Sequence, residues 1–338
     1  MHEICEGLRR RGFDVSLKAQ EGIMRGGSAE RLVRYLRILG ASIAALRHCD
    51  VLYVRSHFAA FPVALVAALR RTPMIQEING AYDDAFVTHP RFGAFRRILS
   101  WMQRAQYRWS SALVAVTQDL VSWGREQAGH SRAFLVSNAA NTDLFRPDGP
   151  KHRRDRPYVL FFGGLVRWHG IEVMLEAARL PSWPDVDLVI AGPIVDESLR
   201  PMLDEAPANV VWLGPQVQAA LPPVVRGALA TLVPISDPDG RSSRGVMPLK
   251  LFEALACGTP VVVTDLPGQA DLVRQGRCGL VIPVGDAESL AQAVATLASD
   301  PDRARQLGAA GAHLVLAEHS WDARAAQVAK IATLAITG

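Results

Sequence analysis

Short unbroken runs of Val, Leu and Ile recur along the chain, each followed by a stretch with apolar residues at helical spacing. In the first half the runs are Asp14–Leu17, Val51–Val54, Met74–Ile78, Leu113–Val116 and Phe134–Val136. In the second half they are Tyr158–Phe162, Val186–Ala191, Val210–Leu213, Leu232–Ile235, Val261–Thr264 and Leu280–Pro283. Amphipathic stretches such as Ile171–Leu180, Lys250–Cys257 and Glu288–Ala298 lie between them. Strands that are continuously apolar, rather than alternating, are buried on both faces, so the pattern predicts parallel sheets covered by helices. Two such series predict an α/β protein of two doubly wound domains. The charged, Pro-rich segment Arg146–Pro157 separates the series, and the strand YVLFF follows it directly. The expected domains are therefore 1–148 and 149–319, with a last helix within 320–338 (Ser320–Ile336) reaching back toward the first domain.

One part of the pattern is out of place. A doubly wound domain normally opens with a strand and a tight Gly turn, yet residues 2–12 (HEICEGLRRRG) already read as its first helix. The expectation is a natural polypeptide that starts roughly 15–25 residues earlier, room for a strand and its turn. The 338-residue form is expected to be poorly stable or inactive, because unmatched ladder groups are costly when buried.

Composition narrows the function classes. With 49% hydrophobic and 21% charged residues the chain is globular, not disordered. Its most apolar run, His57–Leu69, has 13 residues and contains Pro62, too short for a spanning helix of about 20. Met1–Arg11 is too charged to read as a secretory signal. Four well-separated cysteines exclude a disulfide framework or a zinc-finger-like site and fit the cytoplasm. Charge is uneven: residues 1–150 hold 20 Lys/Arg against 13 Asp/Glu, a net of +7, and residues 151–338 hold 17 against 20, a net of −3. A basic half can meet nucleic acid, a phosphorylated lipid or an anionic membrane, or can reflect coding bias toward Arg. A nucleic-acid protein has no recognition motif in its favour.

Two segments carry candidate chemistry. In FFGGLVRWHG (161–170) a buried strand breaks at Gly163 and Gly164, a loop carries Arg167 and His169, and Gly170 opens a helix. Such a turn lets backbone approach a diphosphate, although glycines after a strand also serve simply as turn residues. In GRSSRGVMPLKLFEALACGTP (240–260) a Gly/Ser/Arg loop precedes a helix bearing Lys250 and Glu253. Those two project from one side of the helix, as an anion and ribose site or as an exposed ion pair. The scattered histidines give no metal site, and the triplets Asp185-Val186-Asp187 and Asp237-Pro238-Asp239 read as solvated turns, as does Asp83-Asp84. Arg91–Trp109 is basic, aromatic and amphipathic: an interfacial helix, or a core face with arginines in solvent. His57 and His89 read as structural.

At GVMPLKLFEALACGTPVVVTDLPG the sequence resembles the donor-site signature of retaining glycosyltransferases of family 4. SNAANTDLFRP, DLVIAGP, NVVWLGPQ, GRCGLVIPVGDAESLAQAV and HSWDARA resemble further segments of that family, in order, over more than 300 residues. The resemblance implies the GT-B fold of two facing Rossmann-like domains. It also implies transfer of a sugar from a nucleotide-sugar donor to a hydroxyl acceptor with retention, without metal or other cofactor. Glu253 matches the second Glu of the family's two-glutamate motif, which binds ribose hydroxyls. Gly245 stands where the first Glu would be, eight positions earlier, and Lys250 is expected to take over that role. His169 and Gly164 replace the usual Lys and Arg, leaving Arg167, His169 and Arg244 for the diphosphate. Around the donor the resemblance adds Gly163, Gly192, Pro193, Pro215, Val246, Met247, Pro248 and Leu249. On the acceptor side it adds Arg55, Glu77 and Asn79, from IQEING and the preceding strand. A lipid-linked envelope or polysaccharide acceptor is expected, with the protein cytoplasmic and peripheral on the inner face of an anionic membrane. A non-catalytic binding subunit and a nucleotide-sugar epimerase are the competing readings; the epimerase lacks Pro248–Pro260 and AANTDLFRP.

Overall fold

The computed structural model describes residues 2–19, 28–236 and 240–337. The chain divides into two compact units, Met1–Ser137 with Asp322–Gly338, and Asn138–Trp321.

Unit 1 runs α1 (His2–Arg9), α2 (Ser28–Ala45), β1 (Leu52–Arg55), α3 (Phe61–Leu69), β2 (Met74–Ile78), α4 (Asp84–Thr88), α5 (Arg96–Trp109), β3 (Ala112–Ala115), α6 (Gln118–Ala128) and β4 (Ala133–Leu135). Its four strands form one parallel sheet in the order β1-β2-β3-β4. Local signals set the helix ends. Pro62 sits in the first turn of α3, where its missing N–H is harmless. Thr117 accepts the N–H of Leu120 at 3.2 Å to open α6, and Gly129, left-handed at φ 72°, closes it.

The expected strand Asp14–Leu17 does not form. Residues 13–19 alternate between half-buried and exposed, so neither face is covered, and the Val15 carbonyl accepts from Arg9 Nη2 at 2.8 Å rather than from a ladder. Leu52–Arg55 is consequently the edge of the described sheet.

Unit 2 runs β5 (Tyr158–Phe162), α7 (Ile171–Ala177), β6 (Asp187–Ala191), α8 (Arg200–Asp204), β7 (Val210–Trp212), α9 (Leu221–Gly227), β8 (Ala230–Val233), α10 (Leu249–Ala256), β9 (Val261–Thr264), α11 (Gln269–Gly276), β10 (Gly279–Ile282), α12 (Ala287–Ser299) and α13 (Pro301–Glu318). The six strands are parallel, in the order β10-β9-β8-β5-β6-β7. β5, β6, β8 and β9 are buried along their whole length, as their continuous apolar runs require. Val159, Phe161, Leu188, Ile190, Leu232 and Val262 lie in the main core cluster, with Leu290 and Val294 of α12.

The segment 146–157 belongs to unit 2, and the division falls about ten residues before it, at Ser137/Asn138. Buried Arg226 on α9 holds the segment by donating to the carbonyls of Arg146 (3.1 Å) and Pro150 (2.9 Å), and Phe145 just before it is fully buried. The last helix, α14 (Trp321–Thr337), returns the chain to unit 1. A Cβ on Gly7 of α1 would stand 2.3 Å from the Ala325 Cβ of α14, so the two helices meet at a residue with no side chain. Asp322 accepts from Arg10 (3.0 Å) and Arg11 (2.7 Å), and buried Arg324 donates to Ser137 Oγ at 2.6 Å. Among the described residues no helix is long and apolar enough to cross a membrane.

Candidate functional site

Strand order reverses between β5 and β8 in unit 2: the chain steps outward through β6 and β7, then returns to the other side of β5. In open α/β sheets ligands bind beyond the carboxyl ends of the strands at such a point. There β5 breaks at Gly163 (φ 128°) and Gly164. Backbones approach closely: a Cβ on Gly192 (φ 149°) would stand 1.9 Å from the Gly163 carbonyl oxygen, and one on Gly170 (φ 75°) 1.9 Å from that of Pro234. Ser236 donates its N–H to the Trp168 carbonyl at 3.0 Å, lacing the loop after β8 to the loop after β5.

Lys250, in the first turn of α10, enters this region from below. Its side chain is only 7% exposed, and its Nζ lies 3.9 Å from the centroid of the Phe161 ring of β5. A Cβ on Gly163 would stand 3.2 Å from that Nζ, so the glycine leaves the room the ammonium uses. Among the described residues the Nζ has no hydrogen-bond partner. Burial drives its pKa down to about 7, against a smaller upward pull from Glu253. It is therefore not half of an exposed helical ion pair.

Glu253, one turn on, accepts from Gln218 Nε2 at 3.1 Å. Burial raises its pKa, offset by that hydrogen bond and by Lys250. His169 donates from Nδ1 to the Gly164 carbonyl at 2.7 Å, since a carbonyl can only accept. Its ring packs on Trp168 (4.0 Å) and Phe161 (5.9 Å). Burial first, then Lys250, lowers its pKa to about 3, so it is a neutral imidazole that fixes its own loop. Arg167 is exposed and paired with Glu172 of α7 at 2.6 Å. The structure thus gathers Gly163, Gly164, His169 and Lys250 about Phe161 and turns the Arg167 guanidinium to Glu172.

The run 244–249 leads into α10. Half-buried Arg244 ends a short 3-10 turn, and Gly245 follows at φ 93°, ψ 153°, a conformation a glutamate would occupy only under strain. Val246 bridges to Gly268, the Met247 carbonyl accepts from Asn138 Nδ2 at 2.6 Å, and Pro248 precedes Leu249 at the helix start. Pro193 accepts from the Leu165 N–H at 2.8 Å, and Pro215 is exposed beside Gly214, whose carbonyl takes the Gly192 N–H. Asp187 is not solvated: it is buried at the start of β6 with Arg154 at 3.1 Å and Arg156 at 3.6 Å, while exposed Asp185 contacts Arg156. Asp237 and Asp239 lie outside the described residues.

In unit 1, Arg55 and Glu77 are register partners at the carboxyl ends of β1 and β2. Glu77 accepts from Tyr53 OH (2.8 Å) and Asn79 Nδ2 (2.5 Å), and Arg55 is exposed. His57 caps a turn by accepting the Ala59 N–H at 3.0 Å. Sequence reasoning missed Gln218, the Phe161 ring and Asn138. Each acts across more than 30 residues of chain, and only the likeness of NVVWLGPQ and SNAANTDLFRP to family segments pointed near two of them.

Comparison with known proteins places this geometry. Residues 156–300 match the family model described as glycosyl transferases group 1, and residues 1–144 match the model of glycosyltransferase family 4. The chain is 29% identical over 269 residues to alpha-maltose-1-phosphate synthase of Mycolicibacterium smegmatis, covering 71% of this chain and 67% of that protein. It is 32% identical over 232 residues to phosphatidyl-myo-inositol mannosyltransferase of Mycobacterium leprae, covering 67% of this chain and 60% of that one. The match thus spans about two thirds or less of these relatives' lengths. Among solved structures, sucrose-phosphate synthase of Thermosynechococcus elongatus superposes with a TM-score of 0.71 at 20% identity, over 92% of this chain and 80% of that one. WaaG, a glycosyltransferase involved in lipopolysaccharide biosynthesis, superposes with 0.69 at 14% identity over 100% and 95%. At those identities the structures establish the fold alone. Two parallel-sheet units and two family models covering nearly the whole chain make it a member of the family 4 (group 1) glycosyltransferases, with the GT-B fold.

Proposed function

We propose that the protein is a retaining glycosyltransferase that moves a sugar from a nucleotide-sugar donor to a hydroxyl acceptor without a metal. The observation that carries this reading is Lys250: a buried ammonium with no hydrogen-bond partner among the described residues, beside the turn after β5 where backbone can approach a diphosphate. Departure of a nucleoside diphosphate accumulates negative charge, and a cation already held in a low-dielectric site stabilises it without reorganising. In this reading Glu253, three residues on, accepts hydrogen bonds from the two ribose hydroxyls in exchange for the one from Gln218. His169, neutral, keeps the Gly163–Gly164 turn in shape, and Lys250 takes the cationic role.

A lipid-linked acceptor at an anionic membrane surface is supported by α5 and the turn before it. Phe95 (61% exposed), Ile98 (56%) and Trp101 (59%) stand in solvent among Arg91, Arg96 and Arg97, and no Asp or Glu occurs between Asp84 and Asp119. That mixture of exposed rings and arginines suits a headgroup boundary. The mannosyltransferase relative bears the name of a lipid acceptor, which agrees with this reading.

Calorimetric titration with UDP-, GDP-, ADP- and TDP-sugars tests the donor site. One base is expected to bind, and NMR of the product should show the donor's anomeric configuration kept. No binding to any of them would leave a non-catalytic relative; an inverted anomer would remove the retaining mechanism.

A further inference from the structure

A cavity of about 370 Å³ opens in unit 1 at the amino-terminal end of its sheet, the end opposite the one where ligands of such sheets bind. Its walls come from the end of α3, the starts of β3 and β4, and α14. Arg71 and Arg132 supply charge, and Trp109, Phe134, Ile331 and Leu334 supply apolar surface; no Asp or Glu lines it. Among the described residues neither guanidinium has a hydrogen-bond or carboxylate partner, whereas Arg10 and Arg11 of the same unit share Asp322.

Arg71 also holds an awkward backbone. It occupies the position just past the α3 cap at φ 58°, with the N–H groups of Arg71 and Thr72 closing on the carbonyls of Ala68 and Ala67 at 3.1 and 2.9 Å. Helices place glycine there, because a Cβ is unfavourable in the left-handed region. A long cationic side chain kept at such a position, and lining a cavity, points to use of that side chain.

We propose that this cavity is a second binding site, separate from the donor site, for an amphiphilic anion: an oxyanion head paired with Arg71 and Arg132, and an apolar chain or ring against Phe134, Ile331 and Leu334. The volume lies in the range of small-molecule sites, about 300–1,000 Å³. Guanidinium groups pair well with phosphate and carboxylate oxygens, and an apolar wall beside them selects against a bare ion. Head and chain are both required.

Dodecyl phosphate below its micelle concentration is the probe, titrated calorimetrically into the full chain beside inorganic phosphate and dodecyl maltoside. One molecule of dodecyl phosphate per chain should bind, at least tenfold tighter than either control. Arg132→Gln should weaken it at least tenfold. Arg71→Gly should weaken it similarly while raising the melting temperature, since glycine accepts that backbone; this separates loss of the head contact from loss of fold. Lys250→Met should leave it unchanged. Equal binding of the maltoside, many molecules per chain, or indifference to both arginine variants would overturn the site. Pelleting with phosphatidate vesicles that Arg71→Gly abolishes would assign the head to a bilayer lipid, and binding without pelleting would assign it to a free amphiphile; both uphold the site.

Discussion

The two units bury different sets of polar groups beside their sheets. In unit 1, Gln76, Gln103 and Gln106 are fully buried and bonded in a chain: Gln76 to Gln106 (3.3 Å), Gln106 to Gln103 (3.3 Å), Gln103 to Ser56 Oγ (2.9 Å), which also meets Tyr107 OH (2.7 Å). One amide oxygen, on Gln76, is left over. Unit 2 also buries a bonded amide, Gln269, with its own spare oxygen, but among the described residues it leaves in addition the Lys250 ammonium beside Phe161 without a hydrogen-bond partner. A spare amide oxygen costs little beside a buried charge. Bonded amides hold a structure together, whereas a buried cation without a partner among the described residues suits the donor role proposed above.

Breaking unit 2 at that cation gives the largest expected effect. Lys250→Met should lower turnover by about 10²–10³-fold, the usual loss when one preorganised charge-stabilising group is removed. The melting temperature should hold or rise, because burial of the lysine disfavours the fold. Unchanged turnover with a lower melting temperature would make Lys250 a packing residue. Glu253→Ala comes next: loss of hydrogen bonds from two hydroxyls to a carboxylate should weaken nucleotide affinity about 10–100-fold in calorimetry, with little change in stability. A large fall in stability with intact affinity would reverse that assignment.

Acidity sharpens the comparison further. Lys250 titrates near 7 when folded, against 10.5 for an ordinary lysine. Between those values the unfolded chain holds the extra proton, so stability of the ligand-free protein should rise with pH across that window, and Lys250→Met should flatten the rise. A diphosphate needs the protonated form, so nucleotide affinity should fall as pH climbs above about 7, by up to about tenfold per unit. An affinity level from pH 6 to 9 would mean that Lys250 does not meet the phosphates.

Unit 1 should respond least. Arg11 first, then Arg10, holds the Asp322 carboxyl well below the usual carboxylate range, so its contribution is present above that range and lost on acidification. Arg10 and Asp322 are more than half exposed and Arg11 is half-buried, so Asp322→Asn should cost less than about 1 kcal/mol in denaturant melts at pH 7, and nothing once acid has protonated the carboxyl.

The contrast also explains what the sequence made legible. The four central strands of unit 2 were readable to within two residues because burial on both faces leaves an uninterrupted apolar run. Asp14–Leu17 looked similar, but four residues with no neighbour do not make a strand. α13 escaped because its glycines interrupt the apolar period for a packing reason: a Cβ on Gly308 would stand 2.0 Å from the Gly258 carbonyl oxygen, and one on Gly311 2.5 Å from Leu255. In the candidate site, Lys250 and Glu253 were legible as types and spacing. That the lysine is buried against Phe161, that Gln218 holds the glutamate and that Glu172 takes Arg167 are meetings between distant segments, which no local spacing encodes.

The close seat of α14 on Gly7 bears on the order in which the molecule can be made. Unit 1 holds residues synthesised before unit 2, yet it also includes a helix that follows all of unit 2 in the chain. At about 5–20 residues per second, roughly 10–40 s separate the synthesis of Ser137 from that of α14. During that interval α1 lacks its partner and the Ser137 hydroxyl lacks Arg324, while unit 2 is a continuous stretch free to fold as it emerges. Unit 1 is therefore finished after unit 2, and a nascent chain carries uncovered apolar surface on α1 until α14 is released.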